Sequence, residues 1–188
     1  MGQRSGRRGL FLLPASSLGK LRHGCSGGIV PPSNTMLLQE IFRPDDVLLG
    51  LEPGDKWEAI RSLMERLVEA GRVPEERSEE LLEAVFERER SMSTGMERGL
   101  AIPHAAVEGI DGLAAALGIV TDDDGLEFSS IDGAPTRLVI LLLIPREQKL
   151  LHIRTLADVA RGLGDEAVVS KLLASENSAD AWQVLGGA

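Results

Sequence analysis

The stretch PTRLVILLLIP, residues 135–145, contains the longest apolar run of the chain. The run from Arg137 to Ile144 consists mainly of leucine and β-branched residues and has a proline on either side. This composition and length are typical of a strand that lies at the centre of a sheet and is buried on both faces. The run is much shorter than the ~18 apolar residues that a membrane-spanning helix requires. We therefore predict a central strand.

Segments of helical and of strand character surround this run. One helix is predicted after Asp55, whose spacing to Glu58 is that of a capping box, and it ends at Gly71. A second helix is predicted from Ser78 to about Ser91. Further helices are predicted over 150–163, 168–173 and 179–185, and short strands over 47–49, 99–102 and 113–120. This mixture predicts a sheet covered by helices.

Charge is distributed unevenly along the chain. The formal net charge is -9, yet residues 1–35 contain basic residues and no acidic one, so the remainder is more acidic than the whole. An acidic body repels nucleic acid and anionic membrane surfaces and favours a partner with a basic face. The chain also has no tyrosine and four phenylalanines, which provide few platforms for base stacking. We therefore expect no nucleic-acid partner and no direct membrane insertion.

Residues 1–35 are rich in Gly, Ser, Arg and Pro and lack a periodic apolar pattern. We predict a disordered basic N-terminal extension there, followed by one domain over residues 36–188. A translation start that in truth lies at Met36 would explain such a tail, and so would a transit peptide. A nucleic-acid-binding arm has less support, because the basic residues are dispersed.

Cys25 is the single cysteine of the chain. One thiol cannot form an internal disulfide or a zinc site with several cysteine ligands. This composition fits a reducing, cytoplasmic location. We expect neither a cofactor nor a metal.

The segment RERSMSTGMERGLAIPH, residues 88–104, concentrates groups that bind anions. Arg88 offers a planar guanidinium suited to phosphate or carboxylate. The hydroxyls of Ser93 and Thr94 can donate to an anion, and Gly95 permits a close approach of the backbone. Ser93, Thr94 and Gly95 are therefore candidates for a phosphate-binding loop.

His104 ends this segment. Pro103 restricts the backbone before it, and a neutral imidazole is a good nucleophile near pH 7. A phosphorylated histidine would carry about -1.5 to -2 charges, by analogy with other phosphorylated residues, and would need donors of the kind this segment supplies. The residues alone leave a second interpretation open, in which His104 is an ordinary surface or half-buried histidine of a turn.

The combination of Ser93-Thr94-Gly95, Ile102-Pro103-His104 and a second histidine, His152, seven residues after Pro145 resembles the signature of a known family. This family is the type-2 enzyme IIA domain of the bacterial phosphotransferase system, which includes fructose- and mannitol-type domains and nitrogen-regulatory IIA proteins. The resemblance spans roughly residues 36–185. It implies an α/β fold with a mixed, partly parallel sheet flanked by helices on both faces.

The resemblance also implies a phosphocarrier of the phosphoenolpyruvate-dependent phosphotransferase system. His104 matches the phosphorylated histidine of the family, with Nε2 as the reacting atom. His152 matches the second active-site histidine, and Arg88 matches the arginine that helps to neutralise the phosphoryl group. The implied donor is the small histidine phosphocarrier protein. The implied acceptor is a cysteine of a IIB domain, or a regulatory target protein that senses the phosphorylation state.

Several positions depart from the family pattern. Met92 stands where glycine is common, Glu97-Arg98 stands where Gly-Asn is common, and Ala105-Ala106 replaces a glycine that is often followed by a basic residue. Glu97 adds a negative charge near the site, and Ala106 removes a possible cation. Arg98 is a candidate to compensate for either change. These departures keep an alternative function open: a regulatory binding module that retains the IIA fold without transferring phosphoryl groups.

Overall fold

The computed structural model describes residues 38–122 and 124–187. The predicted N-terminal extension, residues 1–35, lies outside the described residues, as does the start of the predicted domain. Among the helices that are described, none combines the length and the apolarity needed to cross a bilayer.

The apolar run forms the central strand of a sheet, as its sequence predicts. This strand, β5 (Leu138–Pro145), pairs antiparallel with β4 (Ala114–Val120), which pairs parallel with β1 (Val47–Leu51). On its other side β5 pairs parallel with two short strands that follow one another, β2 (Leu100–Ala101) and β3 (His104–Val107). Every residue of β4 and β5 is buried, so the centre of the sheet is covered on both faces.

The helices of the described residues are α1 (Leu38–Ile41), α2 (Lys56–Glu69), α3 (Ser78–Ser91), α4 (Lys149–Gly162), α5 (Glu166–Leu173) and α6 (Ser178–Leu185), with single 3-10 turns at Pro44–Asp46 and Glu75–Arg77. The odd-numbered residues of β5 from Val139 to Leu143 share a core with α2 and α3. The even-numbered residues from Leu138 to Ile144 share a second core with the other four helices. The predicted fold class, a mixed, partly parallel sheet with helices on both faces, is confirmed.

Asp55 caps α2, as the sequence predicts. Its Oδ1 accepts hydrogen bonds from the backbone N–H groups of Trp57 and Glu58, both at 2.9 Å. The capping box differs from the prediction by one residue, since Oε2 of Glu58 accepts from the N–H of Gly54, the residue before the cap, at 2.7 Å. These bonds satisfy amides that a helix start otherwise leaves without a partner.

No sequence pattern predicts β3. The predicted strand before Pro103 is shorter in the structure, and Pro103 separates it from β3. Proline has no N–H to donate to a sheet, which interrupts the edge at this point, although its carbonyl accepts from the N–H of Leu142 at 3.0 Å. Burial alternates along β3, with Ala105 buried and its two neighbours, His104 and Ala106, half-buried. The interruption therefore places His104 at the start of an edge strand, on the side away from the core.

We predict that Leu141→Ala lowers the free energy of unfolding by about 2–5 kcal/mol, because a cavity replaces a side chain that is fully buried in β5. Leu150→Ala is the matched control. Leu150 is 77% exposed, so its loss should change stability by about 0.5 kcal/mol or less. Urea unfolding followed by circular dichroism measures both variants. Equal losses would contradict the central position of β5.

Candidate active site

His104 is the first residue of β3, and its side chain is half-buried. Its Nδ1 lies 2.8 Å from the carbonyl oxygen of Ile102. A carbonyl oxygen can only accept a hydrogen bond, so Nδ1 carries the hydrogen of the neutral ring and Nε2 keeps its lone pair. The backbone thereby selects the tautomer whose Nε2 can act as a nucleophile.

His152 lies beside His104. The two ring centroids are 5.4 Å apart, and the ring planes are nearly perpendicular, at 87°. His152 belongs to the first turn of α4, where its N–H donates to the carbonyl oxygen of Gln148 at 3.0 Å. The N-terminal end of a helix carries a partial positive charge, which favours an anion nearby. The fold therefore brings together the two histidines that the sequence singles out.

The histidine pair lines an open cavity of about 500 Å³. The lining residues are Ala84, Glu87, Arg88, His104, Ala105, Ala106, Arg146 and His152. The alanines leave room, and the two arginines supply positive charge. Arg88 projects from the last turn of α3, where its Nη1 donates to the carbonyl oxygen of Met92 at 2.8 Å. Guanidinium groups beside two imidazoles suit a phosphate-like anion.

Arg146 is a cavity residue that the sequence motifs do not single out. It directly follows β5, and its N–H donates to the carbonyl oxygen of Val107 in β3 at 2.8 Å. Its Nη1 lies 3.0 Å from Oε1 of Glu108 in an exposed ion pair. The only sequence signal is a cation immediately after the buried apolar run. Nothing local in the sequence shows that this position shares a cavity with His104.

Burial lowers the pKa of His104 below the usual value for a histidine. The hydrogen bond to Ile102 opposes this effect, while the positive charges of Arg88 and His152 add to it. The negative charge of Glu89 acts in the opposite direction. The neutral imidazole therefore predominates at pH 7, and the neutral form is the one that has a nucleophilic lone pair.

The predicted phosphate loop is held by contacts within the protein. Thr94 donates from its N–H and from Oγ1 to Oε2 of Glu89, at 2.9 and 2.6 Å. Ser93 Oγ is bonded to the Phe128 carbonyl oxygen and lies 3.1 Å from Oε1 of Glu89. A Cβ on Gly95 would come within 2.6 Å of the same carbonyl oxygen, so the backbone approach there requires glycine. The hydroxyls of Ser93 and Thr94 therefore bond to Phe128 and Glu89 of the protein itself.

Glu89 is the residue to which this loop is anchored. It is 2% exposed, although it lies in a run of charged residues that would normally face solvent. Its Oε1 forms an ion pair with Nζ of Lys56 at 2.8 Å, which joins the end of α3 to the start of α2. The helical spacing is a signal of this burial, because Glu89 lies four residues after Val85 and three after Phe86 on the buried face of α3. Its charge, in contrast, would normally place it in solvent.

Arg98 does not line the cavity, so its predicted role as a replacement cation there is wrong. Its Nη1 donates to the carbonyl oxygen of Gly164, just beyond α4, at 2.7 Å, and its N–H donates to Asp132 at 2.9 Å. The backbone of Arg98 has a φ of 64°, a conformation that glycine and asparagine adopt more readily. Arg98 therefore ties its loop to the end of α4.

The geometry can be compared with known proteins. The family model described as "Phosphoenolpyruvate-dependent sugar phosphotransferase system, EIIA 2" matches residues 40–187. The chain belongs to this family. The EIIA family is a component of a phosphotransferase system, and the resemblance seen in the sequence is confirmed. Among the described residues of this EIIA chain, no three His, Cys, Asp or Glu side chains cluster in a way that could hold a metal ion.

Relatives of this EIIA chain include regulatory and sugar-specific proteins. It is 31% identical to a nitrogen regulatory protein of Bradyrhizobium diazoefficiens over 153 residues, which cover 80% of this chain and 95% of that protein. It is 32% identical to the fructose-specific EIIA component of Haloferax volcanii over 140 residues, which cover 73% of this chain and 88% of that protein.

Solved structures share the EIIA fold. The crystal structure of nitrogen regulatory protein IIA-Ntr from Neisseria meningitidis superposes with a TM-score of 0.70 at 23% identity and covers 80% of this chain and 99% of its own. A complex of enzyme IIA and phosphorylated enzyme IIB of the mannitol system of Escherichia coli matches with a TM-score of 0.64 at 24% identity. The match covers 78% of this chain and 98% of that one.

We predict that Glu89→Gln lowers the free energy of unfolding by about 3 kcal/mol, because the ammonium of Lys56 loses its balancing charge in a mostly buried position. The control is Glu83→Gln, which removes the acidic partner of Arg90 in an exposed ion pair and should cost about 1 kcal/mol or less. Urea unfolding measures both. A loss no larger than that of the control would contradict the anchoring role of Glu89.

We predict that His104 titrates below the usual histidine pKa of about 6.5, as followed by NMR of the ring signals. Arg88→Gln should raise this pKa, because one of the charges that oppose protonation is removed. As the pH falls through the titration midpoint, the nucleophilic neutral form is lost. The control is Arg61→Gln, whose guanidinium lines a different cavity and should leave the midpoint unchanged. An unshifted midpoint in the parent protein would contradict the prediction.

Proposed function

We propose that this chain is a histidine phosphocarrier that accepts a phosphoryl group on Nε2 of His104. The observation that carries the proposal is the bond from Nδ1 to the Ile102 carbonyl, which leaves the Nε2 lone pair available in a ring lining a cavity with His152 and two arginines. The proposed donor is the small histidine phosphocarrier protein, charged from phosphoenolpyruvate through enzyme I. Membership of the EIIA family supports this choice.

In the proposed reaction the lone pair of Nε2 attacks the phosphorus of the donor's phosphohistidine. A new N–P bond forms at His104 while the donor's N–P bond breaks, and that electron pair returns to the donor nitrogen. The hydrogen stays on Nδ1, which donates it to the Ile102 carbonyl oxygen, so the attack by Nε2 needs no separate base. Transfer of this kind depends on positioning and on charge stabilisation more than on covalent chemistry.

Arg88 and His152 supply the proposed charge stabilisation. The guanidinium of Arg88 can exchange the neutral Met92 carbonyl for a phosphoryl oxygen, and His152 can donate a hydrogen bond from a ring 5.4 Å away. Ser93-Thr94-Gly95 remains the proposed phosphate loop. A direct contact from its hydroxyls would require them to leave Glu89 and Phe128. The reaction uses no cofactor or metal.

The proposed acceptor is a cysteine of a IIB domain or a regulatory target protein. Relatives of both kinds support this pair of choices, since they include a nitrogen regulatory protein and a fructose-specific component. This chain shares its fold with a IIA protein that was solved in complex with phosphorylated IIB, which supports a IIB domain as the acceptor. We place the protein in the cytoplasm, where its proposed donor is found, and assign the function to the domain over residues 36–188.

We predict that the full chain gains an acid-labile phosphoryl adduct when it is mixed with phosphoenolpyruvate, enzyme I and the small histidine protein. Intact mass before and after acid treatment detects the adduct. His104→Ala should abolish it. His152→Ala should slow its formation, and Arg88→Ala should slow it by about tenfold or more, since a charge-assisted bond contributes about 1.5–3 kcal/mol.

Circular dichroism of each variant provides the control for folding. An adduct that persists in folded His104→Ala would refute the assignment of the nucleophile. Arg88→Ala at the parental rate would refute the role of that arginine. If the parent protein gains no adduct while a control IIA does, the chain is instead a binding module that keeps the IIA fold. That outcome would agree with the substitution of Ala105-Ala106 for the residues common in the family.

A further inference from the structure

We propose that Arg146 is a second phosphoryl-binding cation of this site, which Glu108 occupies until a phosphoryl group arrives. The inference rests on the proposed function, because it names a further residue that contacts the group on His104. Arg146 lines the same cavity as both histidines and Arg88. It would reach the anion from the end of β5, whereas Arg88 reaches it from α3.

The backbone of Arg146 is held in place while its side chain is not. Its N–H donates to the carbonyl oxygen of Val107, the last residue of β3, at 2.8 Å, which continues the pairing with β3 one residue past the end of β5. Its side chain is 63% exposed and its partner, Glu108, is 66% exposed. A guanidinium on a fixed backbone with a solvated side chain can reorient without disturbing the sheet.

The ion pair with Glu108 is of the kind that exchanges readily. Exposed pairs contribute little to stability, because water screens both charges and two long side chains lose freedom. A phosphoryl group carries more negative charge than one carboxylate and accepts a bidentate contact from a guanidinium. The interaction of Arg146 with a phosphoryl group on His104 is therefore stronger than its interaction with Glu108.

The charges that line the cavity favour a second cation. Apart from the two histidines, the charged residues that line it are Glu87, Arg88 and Arg146. Without Arg146, the single positive charge of Arg88 would be offset by Glu87. Once Arg146 leaves Glu108, the lining has two guanidinium groups and one carboxylate.

Arg146 can also supply the positive charge that a basic residue at position 106 would provide. Ala106 stands where a basic residue is common, and Arg98, the candidate replacement, is bonded to Gly164 instead. In the sheet, Ala106 is paired with Ile144, two residues before Arg146. A side chain from the neighbouring strand can therefore enter the space that the short side chain of Ala106 leaves.

The test compares Arg146→Gln, Glu108→Gln and the control Arg61→Gln in the full chain. Arg61 forms an exposed ion pair with Glu79 and lines a different cavity. One readout is the initial rate of phosphoryl acceptance from the small histidine protein. The other is the affinity for inorganic phosphate, titrated while the ring signals of His104 and His152 are followed by NMR. The phosphate titration does not require any transfer to occur.

We predict that Arg146→Gln slows acceptance by about tenfold and weakens phosphate binding, because a charge-assisted bond is lost. Glu108→Gln should change both readouts in the opposite direction, since it releases Arg146 from its competitor. Arg61→Gln should match the parent. If Arg146 served only to hold the surface together through its ion pair, the substitutions at 146 and 108 would act alike, because each breaks that pair.

Two outcomes would overturn the inference: parental behaviour of Arg146→Gln in both readouts, or changes of the same sign in Arg146→Gln and Glu108→Gln. Failure of the proposed function gives a different pattern. In that case the parent protein accepts no phosphoryl group, while phosphate binding still depends on Arg146. A parent that neither transfers nor binds phosphate would refute both.

Discussion

The buried carboxylate of Glu89 is the contact on which the site depends. One side chain receives Lys56 from the start of α2 and Thr94 from the loop that precedes β2. Nζ of Lys56 in turn lies 4.8 Å from the ring centroid of Trp57. A buried carboxylate without partners would be strongly unfavourable, so the burial of Glu89 depends on the contacts from Lys56 and Thr94. Arg88 is the residue immediately before Glu89 on the same helix.

The second constraint is the interruption of the sheet edge at Pro103. Between β2 and β3 the chain leaves the regular strand pairing, and the carbonyl of Ile102 becomes the acceptor for the ring of His104. A regular edge strand would have placed the histidine on the same face without fixing its tautomer. The proline therefore links a local property of the backbone to the chemistry of the imidazole: the fold positions Nε2 and also determines that it carries the lone pair.

The elements that the sequence predicts are those with a strong periodic signal. The central strand is predicted over 137–144 and observed over 138–145, because a strand buried on both faces is apolar throughout, and α2 and α3 are predicted because each has one apolar stripe. The short strand β3 has alanines and a histidine in place of a clear alternation, so no local pattern marks it. Arg146 looks like an ordinary surface charge in the sequence, and Glu89 has the spacing of the buried face of α3 but a charge that argues against burial. Their roles arise from segments that only the tertiary fold brings together.

The contrast between the buried Glu89 and the exposed Arg146 agrees with the demands on the proposed phosphocarrier. A carrier must accept a phosphoryl group and then release it, so cations held permanently against the group would stabilise the bound state and slow its release. Here the buried carboxylate of Glu89, which pairs with Lys56, holds the loop through Thr94. Arg88 and Arg146 line the cavity with weaker partners, a neutral carbonyl and an exposed carboxylate. The chain thus places its buried ion pair in the scaffold and its exposed, exchangeable contacts at the proposed site of phosphorylation.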